Sequence, residues 1–250
     1  MAGFASSTPP KSAPFRRRTE KVSGVIAREI VSDMRGLPPM SMLPPEAAML
    51  EKYQVGRASL REALRILEVQ GIIAIRPGPG GGPMVAPFDS MNFARMMTLY
   101  LHLVGATYRE VLEARIIMEP VMARLAAQRK EPDTVTQLQE FLAKSEPADE
   151  TEYLMHTGGF HTLLSGLSGN RVLDLQGRGL KDIYADRIEG MVFPPEAREN
   201  IVRDHRQIAR AIIAGNPAKA EKLTRAHMEE FLFYSAARNP GVLDEVVQWR

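Results

Sequence analysis

The chain has 250 residues, enough for two domains of ordinary size, and 44% of them are hydrophobic. It contains no cysteine, which excludes disulfides and thiolate metal sites and favours a reducing, cytoplasmic setting. No apolar run suits a transmembrane span or a signal peptide, so no membrane partner is expected. The net charge of +2 conceals an asymmetry, because residues 1–86 hold 12 Lys and Arg against 7 Asp and Glu, whereas the remainder holds 20 against 23. Basic character is concentrated near the N-terminus, as a DNA-binding segment requires.

The first predicted elements are a tail and a helix. Residues 1–20 are rich in Ser, Pro, Ala and Gly and contain Arg16-Arg17-Arg18, which predicts a disordered basic arm. The arm either contacts DNA phosphates or is only a solubilising tail. Val22–Met34 then predicts an amphipathic helix whose buried face is marked by Val22, Ile26 and Ile30.

Residues 45–69 predict a helix-turn-helix. Pro45–Tyr53 is a short helix candidate, and residues 54–56 have the length of the turn. In the helix that follows, Leu60, Leu64 and Leu67 recur at i, i+4 and i+7, so one face is predicted to be buried.

Arginines occupy a different face of this second helix. They are Arg57, Arg61 and Arg65, spaced at i, i+4 and i+8. A charge stripe alone usually marks a solvated surface, but an arginine fork can pair with guanine O6 and N7 in the major groove. The helix-turn-helix context favours DNA binding, and we predict DNA contacts from these arginines and from Ser59.

A short strand, a turn and a second strand follow this helix. Ile72–Ile75 is an apolar run of strand type, residues 77–83 are almost all Pro and Gly, and Met84–Ala86 can return as a strand. This order predicts a wing in which Arg76 and Gly78 approach DNA. A nucleotide phosphate loop is a poor alternative, because no Lys-Ser/Thr and no helix follow the glycines.

The same segment resembles the N-terminal domain of the GntR family of bacterial transcription regulators. The matching residues are Leu43-Pro44 with Glu46, Val55-Gly56-Arg57, Leu60-Arg61-Glu62-Ala63-Leu64, Leu67-Glu68 and Gly71-Ile72. The resemblance implies that Arg57 and Arg61 are the main DNA-contacting arginines and that Gly78 lies in the wing tip. Ala47 and Gly56 stand where the family often has Arg and Ser or Thr, which puts the usual operator sequence in doubt.

From Phe88 to the C-terminus almost every segment has helical periodicity, and no alternating strand pattern is persuasive. We therefore predict a mainly α protein, in which a winged helix-turn-helix domain over residues 21–87 precedes an all-helical bundle of six or seven helices over residues 88–250. The resemblance to these regulators implies that the bundle binds an effector and mediates dimerisation.

Two histidines of the second half can be placed by counting from Gly215-Asn216-Pro217, a helix stop followed by a helix start. His205 lies ten residues before Gly215 and His227 lies eleven after Asn216, so both are roughly 15 Å from the turn. Two antiparallel helices would hold them at one level, where they could share a metal ion or an anion. The alternative is that each is an ordinary helix residue. The levelled pair, with His161 as a third member, favours shared ligation.

The second half also resembles the ligand-binding domain of the FadR-like subfamily, the FCD type. The matching residues are Arg115, Glu119, Leu125-Ala126-Ala127, Phe160-His161, Ser168-Gly169-Asn170, Asp204-His205-Arg206-Gln207-Ile208 and His227. With the DNA-binding match, the resemblance extends over nearly all of residues 22–227.

The FCD resemblance implies a site in which an Asp and three His bind a divalent metal and a small carboxylate effector completes the shell. The histidines correspond to His161, His205 and His227, whereas Thr157 occupies the Asp position. Since threonine is a poor ligand for such a cation, we predict a three-His site that is weaker than usual or empty and that suits zinc or nickel.

The resemblance also places Arg115 near the effector pocket, where its guanidinium could hold a carboxylate. An intrahelical pair with Glu119 is an alternative role, compatible with the first. Tyr184 and Arg187 are further pocket candidates.

These observations predict a ligand-responsive transcription repressor, not an enzyme, that binds a palindromic operator as a homodimer and responds to a small organic acid. One alternative is a metal-dependent hydrolase fused to a DNA-binding domain. Another is an architectural DNA binder, which would leave the levelled histidines without a role.

Overall fold

The computed structural model describes residues 21–87, 90–144, 149–188, 195–238 and 241–249. The chain forms two compact units that divide between Phe88 and Asp89. The predicted basic arm of residues 1–20, with Arg16-Arg17-Arg18, lies outside the described residues.

The first unit is a winged helix-turn-helix, as predicted. Its elements are α1 (Val22–Asp33), α2 (Glu46–Tyr53), α3 (Arg57–Val69), β1 (Ile73–Arg76) and β2 (Gly82–Val85). The core lies where α1 packs against α3, and it includes Ile26, Ile30, Met49, Leu60 and Leu67. Val22 was predicted to belong to this face but is 56% exposed, because it begins the helix beyond the edge of the core.

The turn between α2 and α3 is short because Gln54 adopts a left-handed conformation, with φ 51° and ψ 48°, and ends α2. Gly56 is extended and immediately precedes α3. The chain therefore changes direction within three residues, which is the helix-turn-helix connection predicted from the sequence.

The wing is an antiparallel pair in which Ile73 faces Val85 and Arg76 faces Gly82. Both strands begin at positions different from the predicted ones, Ile72 and Met84, because the ladder starts one residue later in β1 and two earlier in β2. The loop tip requires glycine: Gly78 has φ +92°, and a Cβ on Gly81 would lie 2.2 Å from the Arg76 carbonyl oxygen. Both positions therefore favour glycine, which has no Cβ.

The second unit is all-helical over its described residues and contains seven helices. They are α4 (Ser90–Val104), α5 (Tyr108–Arg129), α6 (Pro132–Ala143), α7 (Glu150–Leu167), α8 (Arg171–Ile188), α9 (Pro195–Ile213) and α10 (Pro217–Arg238). Helix α5 is central, since it packs against α7, α8, α9 and α10. Among the described helices, none is long and apolar enough to cross a membrane.

The connection between α9 and α10 has the predicted form. Gly215 has φ +65°, and the Asn216 side chain accepts a hydrogen bond from the Lys219 amide at 3.0 Å. This cap starts α10 directly after the turn, and α9 packs against α10. Residues at equal distances from the turn on these two helices can therefore meet.

Candidate functional site

Helix α3 separates its apolar face from its basic face. Leu60, Leu64 and Leu67 are buried in the core of the first unit. Arg57, Arg61 and Arg65, here called the basic stripe, are all exposed, and Ser59 is half-buried. The basic stripe is therefore exposed to solvent on a face that differs from the buried leucine face.

One arginine of the basic stripe already has a partner within the unit. The Nε of Arg61 lies 3.2 Å from Oε1 of Glu46, the first residue of α2, and the two side chains are 70% and 39% exposed. An exposed pair of this kind contributes little stability. It can orient the guanidinium and still be exchanged for a DNA contact. Arg76 and Gly78 are exposed on the wing.

The second unit brings together the three predicted metal ligands: His161 on α7, His205 on α9 and His227 on α10. Each histidine contributes one ring nitrogen, and these three nitrogens all lie within 4.8 Å of one another. The Nε2 atoms of His205 and His227 are 3.0 Å apart, and both residues are buried. Because His205 and His227 are equally far from the α9–α10 turn, the packing of these two helices brings their side chains into contact.

Carboxylates contact the outer nitrogens of two of these imidazoles. Oε2 of Glu119 lies 2.6 Å from Nδ1 of His161, and Oδ2 of Asp204 lies 3.6 Å from Nδ1 of His227. A carboxylate hydrogen-bonded to one ring nitrogen, as Glu119 is to His161, fixes the ring and leaves the other nitrogen for a metal, whereas Asp204 lies at ion-pair distance from His227. Sequence reasoning missed these roles. Glu119 and Asp204 stand within the motifs already quoted, but only the fold shows which histidine each one faces.

Burial sets the charge state of this cluster. It lowers the pKa of His161, although the adjacent Glu119 carboxylate acts in the opposite direction. Burial also holds the pKa of His205 well below its usual range, and His227 adds to this effect. Burial alone would raise the pKa of Glu119, but the guanidinium of Arg115 and the imidazole of His161 outweigh it and lower that pKa to about 2. At neutral pH, His161 and His205 are therefore in the neutral form that binds metals.

The donor set fits a divalent cation that accepts nitrogen ligands. Three imidazoles converge, two have carboxylate partners, and Nδ1 of buried His205 has no hydrogen-bond partner within the described residues. Thr157, at the position of the family's Asp, donates its hydroxyl proton to the Tyr153 carbonyl at 2.9 Å. Any metal site here has three nitrogen ligands and no carboxylate from that position.

A cavity of about 400 Å³ adjoins the cluster. Its lining includes His161, His227 and Thr157 together with the predicted effector residues Arg115 and Tyr184. A volume of this size lies within the usual range of small-molecule sites, roughly 300–1,000 Å³.

Arg115 combines the two roles considered from the sequence. Its Nε donates to Oε1 of Glu119 at 2.7 Å, and the side chain is only 5% exposed. The hydrogen bond to Glu119 uses only the Nε atom, and Arg115 also lines the cavity. The outer edge of the guanidinium therefore remains available to a carboxylate in the cavity.

The structure corrects one predicted pocket residue and adds another. Arg187 does not line the cavity, because its guanidinium pairs with both Glu245 oxygens at 2.9 and 2.8 Å. Lys181, one helical turn before Tyr184 on α8, lines the cavity instead. Because Lys181 and Tyr184 are three residues apart on α8, the sequence could have indicated that they share one helix face. Tyr184 itself donates to the Ser235 hydroxyl at 3.1 Å.

Comparison with known proteins identifies both units. Residues 22–81 match the bacterial regulatory proteins of the gntR family, and residues 110–230 match the FCD domain. An uncharacterized HTH-type transcriptional regulator of Mycobacterium tuberculosis is 28% identical, over 86% of this chain and 88% of the relative. The HTH-type transcriptional regulator LutR of Bacillus subtilis is 24% identical, over 77% of this chain and 90% of the relative.

A solved structure supports the fold. Streptococcus agalactiae GntR superposes with a TM-score of 0.69 at 23% identity, covering 85% of this chain and 99% of that one. The similar proteins are transcription regulators and not enzymes, so the hydrolase alternative has no support. The chain belongs to the GntR family of bacterial transcription regulators, in the FadR-like subfamily whose second domain is of the FCD type.

Proposed function

We propose that this regulator binds a palindromic operator as a homodimer, represses transcription, and changes its DNA affinity when a small organic acid occupies the cavity of the FCD domain. The observation that carries the proposal is the convergence of three histidines beside a cavity that also exposes the guanidinium edge of Arg115. Because operator DNA lies in the cytoplasm, the proposal places the protein there.

The metal part of the proposal rests on the imidazole cluster. His161, His205 and His227 would hold zinc or nickel, and Glu119 and Asp204 would orient two of the rings. A bound cation would supply a positive centre for the acid's carboxylate. Arg115 would bind the same carboxylate through its Nη atoms.

The DNA part rests on the basic stripe. Its arginines lie along one exposed helix face, at the spacing with which a helix presents side chains to the major groove. A winged helix-turn-helix reads one half-site, so a two-fold protein dimer would match a palindrome.

The dimer part is supported by α4. This helix has one charged residue, Arg95, and is apolar around most of its surface, yet it packs mainly against α8. Met96, Tyr100, Leu103 and Val104 recur at i, i+4, i+7 and i+8 and are 46–75% exposed. An uncharged apolar stripe is self-complementary, as a two-fold interface requires. We therefore propose that a second copy of the chain covers it.

Sedimentation tests the dimer. The wild type should sediment at twice 27.8 kDa at micromolar concentration, whereas Leu103→Glu, which places a charge in the apolar stripe, should shift it toward monomer. The exposed substitution Val172→Glu on α8 is the control and should leave the dimer intact. A monomeric wild type with full operator affinity would contradict this part.

The regulatory proposal is tested by measuring operator affinity with metal-free protein, with zinc or nickel, and with metal plus short organic acids. The operator can be selected from a random DNA pool. We expect metal plus acid to weaken binding, and Arg115→Met to abolish the response to acid. A reporter gene under the selected operator gives the sign of regulation. Operator affinity that is insensitive to every metal and acid combination would contradict the sensor role.

A further inference from the structure

Helix α7 carries two adjacent glycines in its interior, Gly158 and Gly159, between Thr157 and Phe160. Interior glycine costs a helix stability relative to alanine. The fold does not require glycine here, because neither residue has a positive φ and a Cβ at either position would meet nothing within 4 Å. The packing around α7 therefore does not explain this pair.

Both glycines line the cavity that adjoins the histidine cluster. Their missing side chains leave a strip of bare helix backbone along one wall and enlarge the space beside Thr157. The two glycines therefore lower the stability of α7 at the position where their missing side chains enlarge the cavity.

The lining of this cavity has a polar part and an apolar part. The polar part includes Arg115, Lys181 and the two histidines, and none of the described lining residues is acidic. Each of the two cations has a protein carboxylate beside it, Glu119 for Arg115 and Asp182 for Lys181. The apolar part is formed by Leu154, Met155, Ile201, Ala185 and Phe231.

The separation of the cavity lining into a polar part and an apolar part indicates which ligand it accepts. A single carboxylate can contact both the Arg115 guanidinium and the histidines. A second carboxylate would either face the apolar wall, where an unpaired charge loses its hydration without compensation, or compete with Asp182 for Lys181. An apolar body on that wall would instead be removed from water, which is favourable in proportion to its area.

Resting on the proposed sensor function, we propose that the effector is a monocarboxylic acid with an apolar aliphatic or aromatic body. The carboxylate lies toward Arg115 and the histidines, and the body lies against the bare backbone at Gly158 and Gly159. These glycines set how large an acid the cavity accepts.

The test is calorimetric titration of the full-length protein, loaded with zinc, with acetate, butyrate, hexanoate and the six-carbon diacid adipate. Affinity should rise about fourfold for each buried methylene, so hexanoate, which has four more methylenes, should bind roughly 250-fold more tightly than acetate. Adipate, which matches hexanoate in length, should bind more weakly than hexanoate.

Two variants locate the apolar body. Gly158→Leu fills the space beside the helix and should weaken hexanoate roughly tenfold or more while leaving acetate unchanged. Thr151→Leu adds the same side chain to an exposed position of α7 outside the cavity lining and should bind hexanoate like the wild type. Gly158→Ala should raise the thermal midpoint, because alanine favours the helix and meets no neighbour.

Three outcomes would overturn the inference. Affinity that does not depend on chain length, adipate binding more tightly than hexanoate, or full hexanoate affinity in Gly158→Leu would each show that no apolar body lies on this wall, while the acid sensor itself would stand. Failure of every acid to bind the zinc-loaded wild type would contradict the sensor function as well.

Discussion

The two units use arginine in opposite ways. In the winged helix-turn-helix, Arg57, Arg61 and Arg65 stand on the surface of α3, and the apolar core lies on the other side of the helix. In the helical unit, Arg115 is buried and bound to Glu119, which in turn contacts His161. A surface group can be removed without disturbing the fold, whereas a buried group is part of the structure that holds it. Substitutions of the exposed arginines in the first unit should therefore change DNA affinity without changing the free energy of unfolding. Substitutions in the buried site of the second unit should change both ligand binding and the free energy of unfolding.

The sharpest test of this contrast is loss of one carboxylate from each unit. Glu119→Ala leaves the Arg115 guanidinium buried without its partner, so it should reduce the free energy of unfolding by about 3–5 kcal/mol. Glu46→Ala removes the exposed partner of Arg61 and should cost about 1 kcal/mol or less. Urea denaturation followed by circular dichroism measures both. Similar losses for the two variants would mean that burial does not distinguish the pairs.

The converse test concerns DNA affinity. Arg57→Ala or Arg61→Ala should each weaken operator binding by roughly 1–3 kcal/mol, because a guanine contact is lost, and should leave unfolding unchanged. Arg35→Ala is the matched control: it removes an exposed arginine near the C-terminal end of α3, in a groove with Gln70. Fluorescence anisotropy on operator and random DNA measures the effects. Equal losses of affinity for operator and random DNA would show that the arginines contact only phosphates. Full operator affinity in both variants would show that this face of α3 does not contact the operator.

Acid should weaken the helical unit first. Since the folded-state pKa values of His161 and His205 are lowered, the unfolded chain binds more protons once the pH falls below about 6.5. Stability present above that pH is therefore lost as the pH falls toward the folded-state values, by up to about 1.4 kcal/mol per pH unit for each histidine. Glu119 adds a further loss only below its unfolded value, 4.5, toward about 2.

Urea unfolding of the metal-free protein between pH 7.5 and 5 measures this loss. His205→Asn, which removes one of the two titrating groups, should flatten the dependence. A stability that is unchanged from pH 7.5 to 5, or that rises, would contradict the proposed charge states.

The sequence predicted the first unit almost completely, because its information is local. Helical spacing of Leu60, Leu64 and Leu67 identified the buried face, and the glycine run identified the wing. The Val22 error arose at a helix end, where periodicity cannot show how far the core extends.

The buried site was predictable only in part. His205 and His227 could be paired because a recognisable turn lies midway between them. The links from Glu119 to His161 and from Asp204 to His227 depend on how α5, α7, α9 and α10 pack, which no local pattern reports. For the same reason the sequence could not show that Arg187 would turn to Glu245.

If His161, His205 and His227 form a metal site that Thr157 weakens, zinc titration of the metal-free protein should show stoichiometric binding in the wild type and loss of binding in His205→Ala. Thr157→Asp, which adds a carboxylate one helical turn from His161, should bind zinc more tightly than the wild type. Asp204→Ala, which removes the carboxylate 3.6 Å from His227, should weaken zinc affinity by roughly 10-fold or less, since no hydrogen bond is lost. Equal zinc affinity in the wild type, Thr157→Asp and His205→Ala would show that the three histidines bind no metal together.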